Sequence, residues 1–327
     1  MKIGIIGAAL GHPAVFTRAI RDLRIAEVSG LWGDDEDHER RDRFAADPGL
    51  DIFDTPEAVI DRSDALIITT RTNDHRRYAE AALSRGKAVF VDKPMATNVA
   101  DAIAILETAR KHDAPVMSCS VRRYTPAFVS IIEQICSGEA GKPIQAVRYE
   151  PHGVIAGDWQ DRIETSGGFI FNYGIHVADT LQRLLGPQAV AVQAFADKLE
   201  FKDVDSHDTA VMTIRFANGA IGVGQVVGAM HVTENIASAP ALCVFGTQNS
   251  YTARIDENQA YEYTGRRVGV SPYYYLLGGA HDTMRAFVRM IETGEPAIAH
   301  DEMLEVVRIL EAARTSAAEG RVVPIEH

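Results

Sequence analysis

The chain has 327 residues, longer than one hydrophobic core usually grows, so two domains are expected. A formal net charge of −12, with no block of Lys and Arg, excludes a nucleic-acid surface. Three scattered cysteines, Cys119, Cys136 and Cys243, exclude a disulfide framework or a thiolate metal site.

The first third alternates β-branched runs with amphipathic segments, the pattern of βαβ units and a parallel sheet. Lys2–Ile6 reads as a buried strand, and Met1-Lys-Ile-Gly-Ile-Ile-Gly7 leaves no room for a signal peptide. No run reads as a membrane span, so a soluble, cytoplasmic protein with no membrane partner is expected. Pro13 suits the first turn of a helix whose apolar face is Val15, Phe16, Ala19, Ile20 and Leu23. Strands follow at 26–32, 65–70, 88–91 and 115–119, with helices at 76–84 and 100–111. A boundary near residue 120 separates an expected α/β domain, 1–120, from a second domain, 121–327. Beyond it, strands at 144–149, 189–195, 210–216 and 220–227 lack regular helices between them, and Asn218-Gly219 marks a hairpin. Helices near 281–293 and 301–319 close the chain. Segments 150–166 and 228–280 read as the loops that shape a pocket.

Between the first strand and its helix lies Gly7-Ala8-Ala9-Leu10-Gly11-His12. A strand-glycine-turn-helix unit is where a dinucleotide pyrophosphate sits on a helix N-terminus. Only the first glycine of G-x-G-x-x-G is intact. Ala9 stands at the second and His12 at the third, unless the loop is shifted by one so that Gly11 takes that role. Asp34, just past the second strand, is spaced to bind a ribose 2′-OH. The acids at 34–37 favour NAD, while Arg40 and Arg41 leave NADP open. The bland alternative is a structural βαβ turn without a ligand.

Asp92-Lys93-Pro94 ends the fourth strand, on the side where open α/β sheets bind ligands. A lysine there can bind a substrate hydroxyl and stabilise the alkoxide formed as hydride leaves. Further on, Gly168-Phe-Ile-Phe-Asn-Tyr-Gly-Ile-His-Val-Ala-Asp-Thr-Leu181 places Asn172, His176 and Asp179 within a ~60° arc of one helix face. Val177, Ala178, Leu181, Leu184 and Leu185 form the opposite stripe. Read alone, the polar face is a solvated one that Arg183 continues.

Taken in order, these pieces resemble the glucose-fructose oxidoreductase / inositol dehydrogenase / rhizopine-catabolism (Gfo/Idh/MocA) oxidoreductases along essentially the whole chain. The resemblance rests on the N-terminal loop, Thr69-Thr70-Arg71-Thr72-Asn73-Asp74-His75, and Asp92-Lys93-Pro94 in place of Glu-Lys-Pro. It rests also on Arg122-Arg123-Tyr124-Thr125-Pro126, on Gly167-Gly168 with Gly174, His176 and Asp179, on Asp208-Thr209-Ala210 and on Gly294-Glu295-Pro296. It implies an α/β chain: a Rossmann domain, then an α+β domain with an open, mostly antiparallel sheet through which dimers or tetramers form. It implies NAD(P)-dependent oxidation of a secondary hydroxyl on a sugar, cyclitol or related polyol.

Carried over by position, Lys93 is the catalytic lysine and His176 the acid/base. Thr70, His75 and Asp92 lie along the nicotinamide side of the cofactor, and Arg123 joins the cofactor residues. Asn172 and His176 then belong to the substrate site rather than to the surface, and Asp179 binds substrate or satisfies a neighbour. Asp158, Trp159 and Tyr273-Tyr274-Tyr275 are candidate substrate contacts, since sugars stack on aromatic faces. Asn172 replaces the Asp usual one turn before the histidine; an amide can orient a hydroxyl but cannot carry charge. Together with the altered loop, this keeps a non-catalytic nucleotide- or sugar-binding protein as the alternative. A metal enzyme is a poor third, because the histidines are scattered and a turn explains His207-Asp208.

Overall fold

The structure is a computed structural model and describes residues 1–34, 39, 41–42, 50–151, 158–201, 205–228, 240–254, 259–262, 267–270 and 275–327. The chain divides into two compact units, Met1–Cys119 with Ala280–Leu304, and Ser120–Gly279 with Glu305–His327.

The first unit is built on β1 (Lys2–Ile6), α1 (His12–Leu23), β2 (Glu27–Trp32), α2 (Pro56–Arg62), β3 (Ala65–Ile68), α3 (His75–Leu83), β4 (Ala88–Val91), α4 (Val99–Lys111) and β5 (Val116–Met117). Its five strands are all parallel, in the order β2-β1-β3-β4-β5. β3 and β4 are buried at every residue, as strands covered on both faces must be, which is why they read as unbroken apolar runs. The chain order reverses between β1 and β3, the switch point outside which such sheets bind ligands.

The second unit holds α5 (Pro126–Cys136), β6 (Pro143–Pro151), the single-turn α6 (Phe169–Asn172), α7 (Gly174–Leu185), β7 (Ala189–Asp197), β8 (Thr209–Phe216), β9 (Ile221–Val227), β10 (Pro240–Gly246), β11 (Ser250–Arg254), β12 (Gln259–Glu262) and β13 (Arg267–Val270). α8 (Tyr275–Thr293), α9 (His300–Glu319) and β14 (Val323–Pro324) complete the chain. The nine strands run β13-β12-β11-β10-β6-β9-β8-β7-β14, and only β6 and β9 pair parallel. α7 lies on β6 and β9. It packs closely because Gly222 and Gly224 leave room: a Cβ on Gly224 would come within 2.2 Å of Val177, and one on Gly222 within 3.1 Å of Leu181.

Three differences from the sequence reading have physical causes. First, residues 280–304 pack in the first unit instead of continuing the second: Phe287 of α8 stacks 5.9 Å from Phe90 of β4, and Ser118 N–H donates to Met303 Sδ. Second, much of 228–280 is sheet rather than loop. In β10, Leu242 and Val244 are buried and Phe245 exposed; in β11, Tyr251 and Ala253 are buried, a period of two on either side of the 246–249 turn, after a register shift at the start of β10. Third, Asn172 ends α6, and the backbone breaks at Tyr173 before α7, so Asn172 shares no helix with His176. The hairpin expected at Asn218-Gly219 joins β8 and β9, with positive φ at Gly219 (+87°) and Asn218 Oδ1 accepting the Ala220 N–H.

Candidate active site

In the first unit, Gly7 has φ +103°, and a Cβ there would meet Thr70 N at 2.4 Å, so only glycine fits. Gly7 N–H donates to Trp32 O (2.7 Å), Thr69 Oγ1–H to Gly7 O (2.7 Å), and Ala9 N–H to Thr69 O (3.2 Å). The methyl group of Ala9 is therefore buried, and its amide is spent on the β3 loop. Gly11 faces open space, no side chain caps α1, and its first turn holds no acid. That helix end can accept an anion. Asp34 lies two residues beyond β2, and Arg41 packs against Gly33 while pairing with Asp42 at 3.1 Å. Residues 35–38 and Arg40 lie outside the described residues.

His12, at the third-glycine position, reaches across to the lysine loop. Its Nδ1 lies 2.5 Å from Asp92 Oδ2, and Asp92 Oδ1 accepts Lys93 N–H (2.8 Å). Asp92 and Lys93 are both buried, and the Lys93–Pro94 peptide is cis. Burial pushes the Asp92 carboxyl up, but His12, Lys93 and His75 together outweigh it and hold the group below the usual carboxylate range. His75 is buried with Nδ1 3.0 Å from Pro94 O and Nε2 3.1 Å from Thr70 O. Two carbonyls favour a doubly protonated ring. Desolvation is larger, and with Asp92 only partly offsetting it the imidazole is held below its ordinary pKa. Gly7, Ala9, His12, Thr70, His75, Asp92 and Lys93 thus form one connected cluster at the carboxyl ends of β1, β3 and β4.

In the second unit, His176 and Asp179 are one turn apart on α7, and both hold Ser120. His176 Nδ1 is 2.7 Å from Ser120 Oγ, and Asp179 Oδ2 accepts Ser120 N–H at 2.9 Å. Asp179 Oδ1 takes the Arg123 guanidinium at 2.5 Å, and Arg183 Nη1–H donates to Arg123 O at 2.6 Å. The solvated-face reading fails here, because every residue from Gly174 to Gln182 is buried. Arg122 makes a two-pronged contact with Glu150 (2.8 and 3.2 Å), whose other oxygen meets Arg148. Asn172 is buried one turn before His176. Asp158 caps the turn at Trp159, accepting Gln160 N–H at 2.9 Å, and Trp159 is itself buried. Tyr273 and Tyr274 lie outside the described residues.

Sequence reasoning missed Ser120 and the Arg122–Glu150–Arg148 group. The first sits two residues before a quoted motif. The second had a visible signal, since Arg148 and Glu150 occupy the parity of β6 that Ala146 commits to the core, and charges rarely do so unpaired. Among the described residues no cluster of His, Cys, Asp and Glu could hold a metal, and no helix is long and apolar enough to cross a membrane. Asp208 is part of a turn: its Oδ2 accepts the N–H groups of Leu199, Glu200 and Phe201.

A five-stranded parallel sheet with a glycine-started loop at its switch point defines a nucleotide-dependent α/β protein. Residues 1–119 match the model of an oxidoreductase family with an NAD-binding Rossmann fold, and residues 128–252 match the GFO/IDH/MocA C-terminal domain. The myo-inositol 2-dehydrogenase of Thermotoga maritima is 26% identical, over 100% of this chain and 99% of its own. The NAD(+)-dependent scyllo-inositol 2-dehydrogenase of Bacillus subtilis is 29% identical over 49% of this chain and 47% of its own. Among solved structures, GenD2 from gentamicin A biosynthesis, in complex with NAD, superposes with a TM-score of 0.87 at 23% identity, covering 100% of this chain and 97% of its own. Levoglucosan dehydrogenase with NADH gives 0.84 at 20% identity, over 100% and 99%. The chain belongs to the Gfo/Idh/MocA oxidoreductase family. It is accordingly an NAD(P)-dependent dehydrogenase acting on CH–OH groups.

Proposed function

We propose that the chain oxidises a secondary hydroxyl of a sugar, cyclitol or related polyol, with NAD favoured over NADP. The observation that carries the reading is the connected cluster at the switch point, in which the loop that would seat the pyrophosphate is joined through His12 and Asp92 to Lys93. The inositol dehydrogenases among its relatives support the substrate class. Gly7, Gly11, His12 and the open end of α1 would hold the diphosphate, Asp34 the adenine-side ribose, and Thr70, His75 and Asp92 the nicotinamide half, with Arg123 a further cofactor residue. The acid at Asp34 opposes a 2′-phosphate.

When bound, the nicotinamide supplies the hydride acceptor. Lys93 binds the substrate oxygen and stabilises the developing alkoxide. His176 takes the O–H proton and Asn172 orients the hydroxyl, while Asp158 and Trp159 complete the substrate contacts and Asp179 satisfies its neighbours Ser120 and Arg123. We place the enzyme in the cytoplasm as a homodimer or homotetramer.

The test is calorimetric titration of nucleotide-stripped protein with NAD, NADP and NADH, followed by a polyol screen with whichever binds. Micromolar-range NAD binding and NAD reduction that falls roughly 10²–10⁴-fold in Lys93→Ala are expected, the usual scale for losing a proton-handling or charge-stabilising group. Binding without turnover on any polyol favours a non-catalytic role instead. Near-normal turnover in Lys93→Ala overturns the lysine's assignment.

A further inference from the structure

We propose that Ser120 is the positioning residue of His176. On this view Ser120 accepts the imidazole Nδ1–H, so that Nε2 is the bare nitrogen that receives the substrate proton. The inference rests on the reading of His176 as the base.

The geometry starts from how firmly the serine is held. Ser120 is fully buried and caps the short turn Val121–Tyr124, its Oγ accepting Arg122 N–H at 3.1 Å. Its own N–H is fixed by Asp179 Oδ2, and Asp179 is in turn clamped by Arg123. The hydroxyl oxygen therefore has one direction taken by a backbone donor and a second aimed at His176 Nδ1, 2.7 Å away. A hydroxyl has two acceptor lone pairs: Arg122 N–H takes one, and in the proposed tautomer His176 Nδ1–H takes the other.

The nitrogen of a histidine that carries the proton is set by the partner of the other. Nδ1–H donated to Oγ leaves Nε2 bare, the state a base requires, and the same bond persists when Nε2 is protonated. A neutral hydroxyl holds the ring without adding the permanent negative charge of a carboxylate. The imidazolium is then free to give its proton up again. This also gives Asp179 a role of its own: His176 and Asp179, three residues apart on α7, grip one serine at two points, by its hydroxyl and by its amide. Asp179 holds the orienter in place rather than the substrate.

The experiment is nitrogen NMR of protein labelled at histidine, with His176 assigned by its loss in His176→Gln. The expected spectrum shows the Nδ1–H, bare-Nε2 form for His176 at neutral pH. Ser120→Ala moves it towards the opposite form, and Ser120→Thr, which keeps the hydroxyl, restores it. Ser120→Cys is read the same way should the alanine variant not fold. With a polyol that the enzyme turns over, Ser120→Ala lowers kcat roughly 10–10²-fold with KM little changed, and Ser120→Thr recovers most of it. An unchanged His176 signal in Ser120→Ala, or an Nε2–H form in the unsubstituted protein, overturns the proposal and leaves the dehydrogenase reading intact. Turnover retained by His176→Gln overturns the base assignment instead.

Discussion

His12 shows how one side chain can replace a motif. A glycine at its position serves close packing of helix on strand; here the imidazole stacks edge-on to Phe16, at 6.0 Å between ring centroids, and hydrogen-bonds a buried carboxylate. Removing it leaves Asp92 buried without its His12 hydrogen bond, so His12→Ala should lower stability by about 1–3 kcal/mol at neutral pH. His12 is one-third exposed, which keeps the figure at the low end. The pH dependence has a definite sign. A carboxyl whose folded pKa lies below its unfolded value contributes stability above that unfolded value, and the contribution is lost as pH falls through the folded pKa. Chemical denaturation at pH 7 and near pH 3 should therefore show the variant's deficit shrinking on acidification. A deficit equal at both would mean that His12 acts through packing alone. The loss of the third glycine was plain in the sequence. Its replacement by a hydrogen bond to Asp92 was not, because the partner is eighty residues away.

At the scale of elements, the position of His176 is set by glycines on the strand beneath it. Gly222 and Gly224 alternate with larger residues along β9 and face α7, where Val177 and Leu181 fill the space a Cβ would take. A methyl group on Gly224 meets Val177 Cγ1 at 2.2 Å, and both strand and helix backbone are fixed by their own hydrogen bonds. Gly224→Ala should lift or turn α7, cost about 1–3 kcal/mol by overpacking and shift the Ser120–His176 contact. Urea unfolding together with the His176 NMR signal checks it. Loss of stability with an unmoved signal would show that the helix absorbs the strain elsewhere. The alternation of glycine with apolar residues was legible as a strand. What it served was not, because the helix it admits lies forty-odd residues earlier. The same limit explains Asn172: periodicity alone carried a helix through Tyr173, whereas the backbone breaks there and restarts at Gly174.

At the scale of the whole molecule, the parallel sheet and its motifs were readable because βαβ units keep partners close in sequence and end each strand in a recognisable turn. The second sheet was half readable: β6 to β9 read as strands, but β10 to β13 lie in a stretch whose turns outweighed its alternation. That sheet also presents a surface with a consequence. On β8, and on β7 from Val192 to Phe195, outward residues alternate with buried ones, and Phe195 (67% exposed) pairs across the strands with Val211 (42% exposed). Ile221 and Phe245 are exposed on β9 and β10 of the same sheet. A Phe side chain left in water forgoes about 1.5–3 kcal/mol, and several on one sheet favour burial against another surface. A second copy of the chain offers the same surface, which a two-fold axis makes self-complementary. Phe195→Lys should then put like charges opposite each other in such a pair. Light scattering after size-exclusion chromatography should show a smaller species for Phe195→Lys than for the unsubstituted protein, with the far-ultraviolet spectrum unchanged. A variant of undiminished mass would move the contact off β7 and β8, and a monomeric unsubstituted protein would remove the oligomer altogether.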